Sequence, residues 1–312
     1  MFIDKLIRKI KETNNPTVAG LDPKIEFVPD FIKREKFEIF GEMLQGACES
    51  ILEFNKVIID SIYDIVPAVK PQLAYYEMYG ANGIWAFEET VIYAKSKGMI
   101  VIADGKRNDI GSTSEAYSNA FLGETKISSQ ISLKAFDADC LTVNPYLGID
   151  GIKPFTDHCA KYGKGIFVLV KTSNPSSGQL QDLVLQDGRR VFEAVADLVV
   201  EWGKDLIGSY GYSSVGAVVG ATWPSQAAEL RRRMPQAYFL VPGYGAQGGS
   251  ATDISVNFNK DGLGAIVNAS RSLMCAYMSD VWKNEFTPEQ FGAACRAEAI
   301  RMRNDINSVV GG

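Results

Sequence analysis

Eight short runs of apolar, largely β-branched residues recur along the chain: TVAGLD, VPAVKPQ, MIVIADGK, CLTVNP, GIFVLVKTS, SVGAVVGA, YFLVPGYG and GAIVNASR. They are apolar nearly throughout rather than alternating with polar residues, which predicts strands covered on both faces. Most stretches between them carry helical periodicity instead, as in MLQGACESILEFNKVIIDSIYDI, GIWAFEETVIYAKSKG, RRVFEAVADLVVEWGKDL and PSQAAELRRRM. After the eighth run, PEQFGAACRAEAIRMRNDINSVV predicts a closing helix starting at Thr287 or at the Pro288-Glu289 pair. An N-terminal helix precedes the first run. No Ser/Gly-rich linker, low-complexity segment or repeat beyond this alternation divides the chain. Residues 1–312 are therefore expected to form a single α/β domain, and eight strands favour a closed (β/α)8 barrel, the TIM-barrel architecture, over an open sheet.

A barrel of this kind places function at the C-terminal ends of its strands. Those ends carry Asp22, Lys70, Asp104 with Lys106, Thr172 with Ser173, the Gly-rich PGYGAQGG and Arg271. The densest stretch is VIADGKRNDIGST, where Asp104, Lys106, Arg107 and Asp109 follow a buried run. Strand side chains alternate faces, so Asp104 and Lys106 are expected to point the same way, about 6.6 Å apart along the strand, into the barrel mouth. Asp109 falls in the loop, where it either returns to the same site or reaches a neighbouring subunit. A buried lysine between carboxylates stays protonated, because opposite charges outweigh desolvation. It would serve as a proton donor and a fixed cation. The competing interpretation is a salt bridge that stabilises the barrel end, although buried ion pairs are weak stabilisers. Lys70 taken alone reads as a surface lysine at a strand end; beside its neighbouring strand it extends the array to Lys70, Asp104, Lys106 and Asp109.

Composition narrows the choices. A net charge of −5 and a pI near 5.2 argue against a nucleic-acid partner. Five widely spaced cysteines without a CxxC pair suggest neither a disulfide framework nor a zinc site, and fit a reduced compartment. The opening MFIDKLIRKIKETNN breaks its apolar residues with charges, unlike a signal peptide or membrane span, so a cytoplasmic protein is expected. GYGAQGG formally matches the dinucleotide fingerprint GxGxxG, but it follows the seventh strand instead of the first, and the next strand ends in NASR rather than an acid. A phosphate cradle fits better, since barrels often bind phosphate after strands seven and eight, with Arg271 as a bidentate partner and Gln247 as an amide donor. VKTSNPSSGQLQ offers short hydroxyl and amide groups that suit either local turn bonds or a heterocyclic base. His158, the only histidine, falls away from any strand end, which sets aside histidine acid/base catalysis and histidine-ligated metals.

DGKRNDIGST fits the D-x-K-x-x-D-I-x-x-T signature of the orotidine 5′-phosphate decarboxylase family, and its context ADGKRNDIGSTSEAYSNAFLG resembles the longer bacterial branch, type 2. VAGLDP, VKPQLAYYE, VLVKTSNPSSG, VPGYGAQGG and VNASRS fall at the family's strand ends in the family's order, so the resemblance covers nearly the whole chain. It implies conversion of orotidine 5′-phosphate to UMP and CO2 in de novo pyrimidine synthesis, without a cofactor or metal. By this resemblance Lys106 donates the proton to C6 and Asp104, Lys70 and Asp109 complete the charged array. Asp109 would be presented to the other subunit of a homodimer with shared active sites. Asp22 and Thr113 would contact the ribose, Ser173 the pyrimidine, and Gln247 with Arg271 the phosphate. The loop after the fifth strand departs from the short branch, which leaves Thr172 and Asn174 as rivals of Ser173. Two other functions remain open: a metal-dependent sugar-phosphate decarboxylase or synthase of the same superfamily, which would have an acidic metal ligand where this chain has Lys70, and a non-catalytic barrel that binds a phosphate ligand.

Overall fold

The computed structural model describes residues 1–245 and 249–310. The eight runs form eight parallel strands: β1 (Thr17–Leu21), β2 (Ala68–Pro71), β3 (Ile100–Arg107), β4 (Cys140–Val143), β5 (Gly165–Lys171), β6 (Ser213–Val219), β7 (Ala237–Val241) and β8 (Ala265–Ala269). Each pairs with its neighbours in sequence and β8 pairs with β1, which closes the barrel. Most strand residues are fully buried, as the unbroken apolar runs predict. Successive side chains face opposite ways. One set, including Val18, Ile102, Phe167 and Leu240, fills the barrel; the other, including Val69, Leu141 and Val168, packs under the outer helices.

Those helices lie where periodicity places them, within a few residues: Leu44–Ile62, Gly80–Ser96, Val191–Gly203 and Pro224–Arg233. The closing helix begins with a 3-10 turn at Pro288–Gln290. Thr287 caps it, its amide donating to Gln290 Oε1 at 3.0 Å, before the α-helix Phe291–Asn307. A helix at Phe2–Thr13, α1, lies across the bottom of the barrel and drives Phe2, Ile3, Leu6 and Ile7 into the inner core. A hairpin of two-residue strands, Thr125–Lys126 with Ser132–Leu133, stands outside the barrel; its strands are too short to leave a sequence signal. All five cysteines are buried and unpaired. Among the described residues no helix is long and apolar enough to cross a membrane.

Candidate active site

The strands deliver a cavity of about 590 Å³ at their C-terminal ends. Its floor is apolar, made by Leu169, Val218 and Leu240 from β5, β6 and β7. Polar side chains rise around it in three groups, one of them the lysine-carboxylate array.

Asp104 is the hub of that array. Its Oδ2 accepts from Lys70 Nζ at 2.7 Å and Gln72 Nε2 at 2.9 Å. Its Oδ1 accepts from Lys106 Nζ at 2.7 Å and Thr142 Oγ1 at 2.8 Å. Burial alone would push the Asp104 carboxyl up, but the two ammonium groups hold it well below the usual carboxylate range. Lys70 is buried, contrary to its reading as a surface lysine. Burial pulls its pKa down, and Asp104 together with Asp22, 3.8 Å away, more than offsets this, so it lies above the ordinary lysine value. The lysine enclosed among carboxylates is thus Lys70, whereas the Lys106 side chain is 45% exposed at the cavity rim.

Lys106 meets Asp104 for a reason that regular alternation does not supply. The strand is irregular between Ala103 and Arg107, and Lys106 adopts a left-handed φ of 47°. That conformation is strained for a residue with a side chain. It is anchored by the Lys106 amide, which donates to Thr142 Oγ1 at 2.9 Å. Thr142 therefore touches both the carboxylate and the lysine backbone. Neither Thr142 nor Gln72 stands out in the sequence; Thr142 sits two positions along β4 from Cys140, and Gln72 two positions beyond Lys70 just past the end of β2, which is the signal that would have found them.

The second group lies over β5. Thr172, Ser173 and Asn174 all line the cavity. Thr172 Oγ1 donates to Asn174 Oδ1 at 2.6 Å and accepts from Gln181 Nε2 at 2.8 Å, so both rivals are engaged in the turn itself. Ser173 is held by its backbone, its carbonyl accepting from Thr222 Oγ1 at 3.0 Å, and among the described residues its hydroxyl makes no hydrogen bond. The third group lies over β7 and β8. Gly243 and Gly245 have φ of 102° and 70°, a conformation that favours glycine. The Gly245 amide donates to the Gly249 carbonyl at 2.9 Å, and the Tyr244 hydroxyl bonds the Asp305 carboxylate. Arg271 opens a short helical turn, Arg271–Met274, and faces the same cavity. Gln247 lies outside the described residues.

Asp22 also lines the cavity; Asp109 and Thr113 do not. Asp109 bonds the Ile110 amide at 2.8 Å, and its carbonyl faces Gly151. Thr113 is exposed on the first turn of the helix Gly111–Phe121. His158 does not line the mouth cavity; its Nδ1 is 2.6 Å from Ser118 Oγ. Burial and nearby Lys161 lower its pKa.

The family model described as Orotidine 5'-phosphate decarboxylase / HUMPS family matches residues 47–279. The chain belongs to that family. An orotidine 5′-phosphate decarboxylase of Caldicellulosiruptor bescii is 44% identical over 280 residues, covering 90% of this chain and 91% of the relative. One from Rhodopirellula baltica is 41% identical over 310 residues, 98% of each chain. Among solved structures, the OMP decarboxylase of Leishmania donovani superposes with a TM-score of 0.71 at 29% identity, covering 99% of this chain and 98% of that one. The (β/α)8 barrel is therefore the fold of that family.

Proposed function

We propose that this chain decarboxylates orotidine 5′-phosphate to UMP and CO2, as a step of pyrimidine nucleotide synthesis. The observation that carries the reading is the Lys106 ammonium: it stands at the rim of an apolar-floored cavity and is fixed to Asp104 by one 2.7 Å hydrogen bond. Loss of CO2 from C6 leaves a carbanion that the ring does not delocalise, so the barrier falls through a preorganised cation. Lys106 supplies that charge and then the proton for C6. Asp104, kept ionised by two lysines, orients Lys106. The substrate's phosphate sits against Arg271 and the glycine turn, Asp22 faces the ribose, and Ser173, whose hydroxyl is uncommitted, meets the pyrimidine. Binding the phosphate far from C6 helps to orient the reacting ring.

The working unit in this reading is a homodimer in which Asp109 and Thr113 complete the partner's site. Neither lines its own cavity, and the exposed Ile110, Tyr146, Leu147 and Ile149 nearby in the chain provide apolar surface for a second copy. Five buried free thiols fit a reducing compartment such as the cytoplasm. The sugar-phosphate alternative needs an acidic metal ligand on β2. Here Lys70 stands at that position, and the Asp104 carboxylate is already surrounded by two ammonium groups. Turnover is tested by the loss of ultraviolet absorbance of orotidine 5′-phosphate, with and without exhaustive chelation. Equal rates are expected. Strong inhibition by EDTA that magnesium reverses would move the assignment to the metal-dependent branch.

A further inference from the structure

The cavity wall between β8 and β1 holds buried polar atoms with no partner among the described residues, one of them on a residue, Asn268, that the reading above leaves unassigned. Asn268 on β8 lines the cavity and is 8% exposed. Its Nδ2 donates to Ser270 Oγ at 3.3 Å, whereas its Oδ1 is enclosed and accepts nothing among the described residues. Asp22 Oδ1 is enclosed in the same way and accepts no hydrogen bond, with Lys70 Nζ 3.8 Å off. Between them on β1 lies Gly20, paired with Lys70. A Cβ on Gly20 would come within 1.9 Å of Ser270 Oγ and 3.0 Å of Asn268 Oδ1. The missing side chain is what lets the polar groups of β8 lean across β1 toward Asp22.

An enclosed acceptor without a donor is unfavourable and uncommon in folded proteins. Here two such acceptors border one opening, so the missing donors belong to a ligand. The phosphate and carboxylate of the substrate offer only acceptors at neutral pH. Its ring N–H is assigned to Ser173, which follows β5, across the barrel from β1. The hydroxyls of the sugar remain, and the sugar is the part that joins the phosphate end of the cavity to the lysine array.

We propose that Asn268 is a further substrate-binding residue, accepting a hydrogen bond from a ribose hydroxyl through Oδ1 on the cavity wall that it shares with Asp22. The inference rests on reading this cavity as the orotidine 5′-phosphate site. The test measures kcat/KM for the wild type, Asn268→Leu and Gly20→Ala on orotidine 5′-phosphate and on its 2′-deoxy and 3′-deoxy counterparts. Asn268→Leu should lower kcat/KM about tenfold on the ribose substrate, the size of one ordinary hydrogen bond. On the deoxy sugar that lacks the partner hydroxyl the loss should disappear. Gly20→Ala retains every polar group but displaces Ser270 and Asn268, and should show the same pattern even if the leucine variant folds poorly. Equal losses on all three sugars, or none on any, would overturn the inference. Failure of the wild type to turn over orotidine 5′-phosphate would instead remove the assigned reaction, a result read from a different sample.

Discussion

Two carboxylates in this barrel are ringed by lysines, and they stand at opposite ends. Asp104, at the mouth, is 2.7 Å from both Lys70 and Lys106. Asp137, just before β4 at the floor, is 2.7 Å from Lys164, 3.2 Å from Lys134 and 2.5 Å from Lys95. Counting charges would rank the floor cluster higher. Two of the floor lysines, however, also donate to backbone: Lys95 to the Asp137 carbonyl at 2.5 Å and Lys164 to the Ala138 carbonyl at 2.7 Å, while Lys134 is exposed to solvent. At Lys164 burial outweighs the nearby carboxylates and lowers the pKa, whereas at Lys70 the carboxylates prevail. The Lys106 ammonium makes one hydrogen bond among the described residues, and its side chain lines the cavity. A reactive array is marked by donors left over after the protein has satisfied itself, more than by the number of its charges.

The sharpest way to break this contrast is to remove one lysine from each end. Lys106→Ala should lower kcat by at least about 10³, because it deletes a preorganised cation as well as the proton source. Lys164→Met should leave kcat unchanged and cost about 1–3 kcal/mol of stability in urea unfolding, through lost hydrogen bonds to a charged group. A comparable kinetic loss in Lys164→Met would erase the distinction. Next in size, Asp104→Asn should destabilise the fold by about 3–5 kcal/mol at neutral pH, since it leaves Lys70 buried with a weakened partner. The folded pKa of Asp104 lies below its ordinary value of 3.8. Its contribution is therefore complete above about pH 4 and fades as the pH falls toward the lower folded value. Unfolding curves of the wild type and variant should converge on acidification, and divergence would show that Asp104 is not held ionised.

Arg271→Ala should cost about 2–3 kcal/mol in kcat/KM on the phosphorylated substrate and almost nothing on orotidine itself. Equal impairment on both would refute its phosphate contact. The smallest expected effect concerns Asp109. If Lys106→Ala and Asp109→Ala chains are each nearly inactive, mixing them should restore about a quarter of wild-type activity, from half heterodimers with one intact site each. No recovery after verified subunit exchange would return Asp109 to its own barrel.

All eight barrel strands were legible because a parallel strand buried on both faces leaves an unbroken apolar run. The mouth array was legible because charged residues at the end of such a run conflict with burial. Side-chain depth was not: Lys70 and Lys106 look alike in sequence, yet one is buried and the other is at the rim. Nor did the sequence disclose that Lys106 turns left-handed, since that conformation depends on Thr142, 36 positions along the chain. Asn268 went unnoticed inside VNASR because its placement beside Gly20 is set only when β8 closes on β1.

The helix α1 has a bearing on how the protein is made. Asp4 bonds Ser209, 205 positions away, and Phe2 packs edge-on to Phe167 with ring centroids 6.3 Å apart. At about 5–20 residues per second, a ribosome needs about 10–40 s to produce the segment that receives the first turn. Until then the apolar face of α1 has no complete seat, and α1 must wait for a segment 205 positions further along the chain. Weakening that face, for example with Leu6→Ala, should therefore reduce the yield of folded protein during synthesis more than it reduces the activity of molecules that have folded.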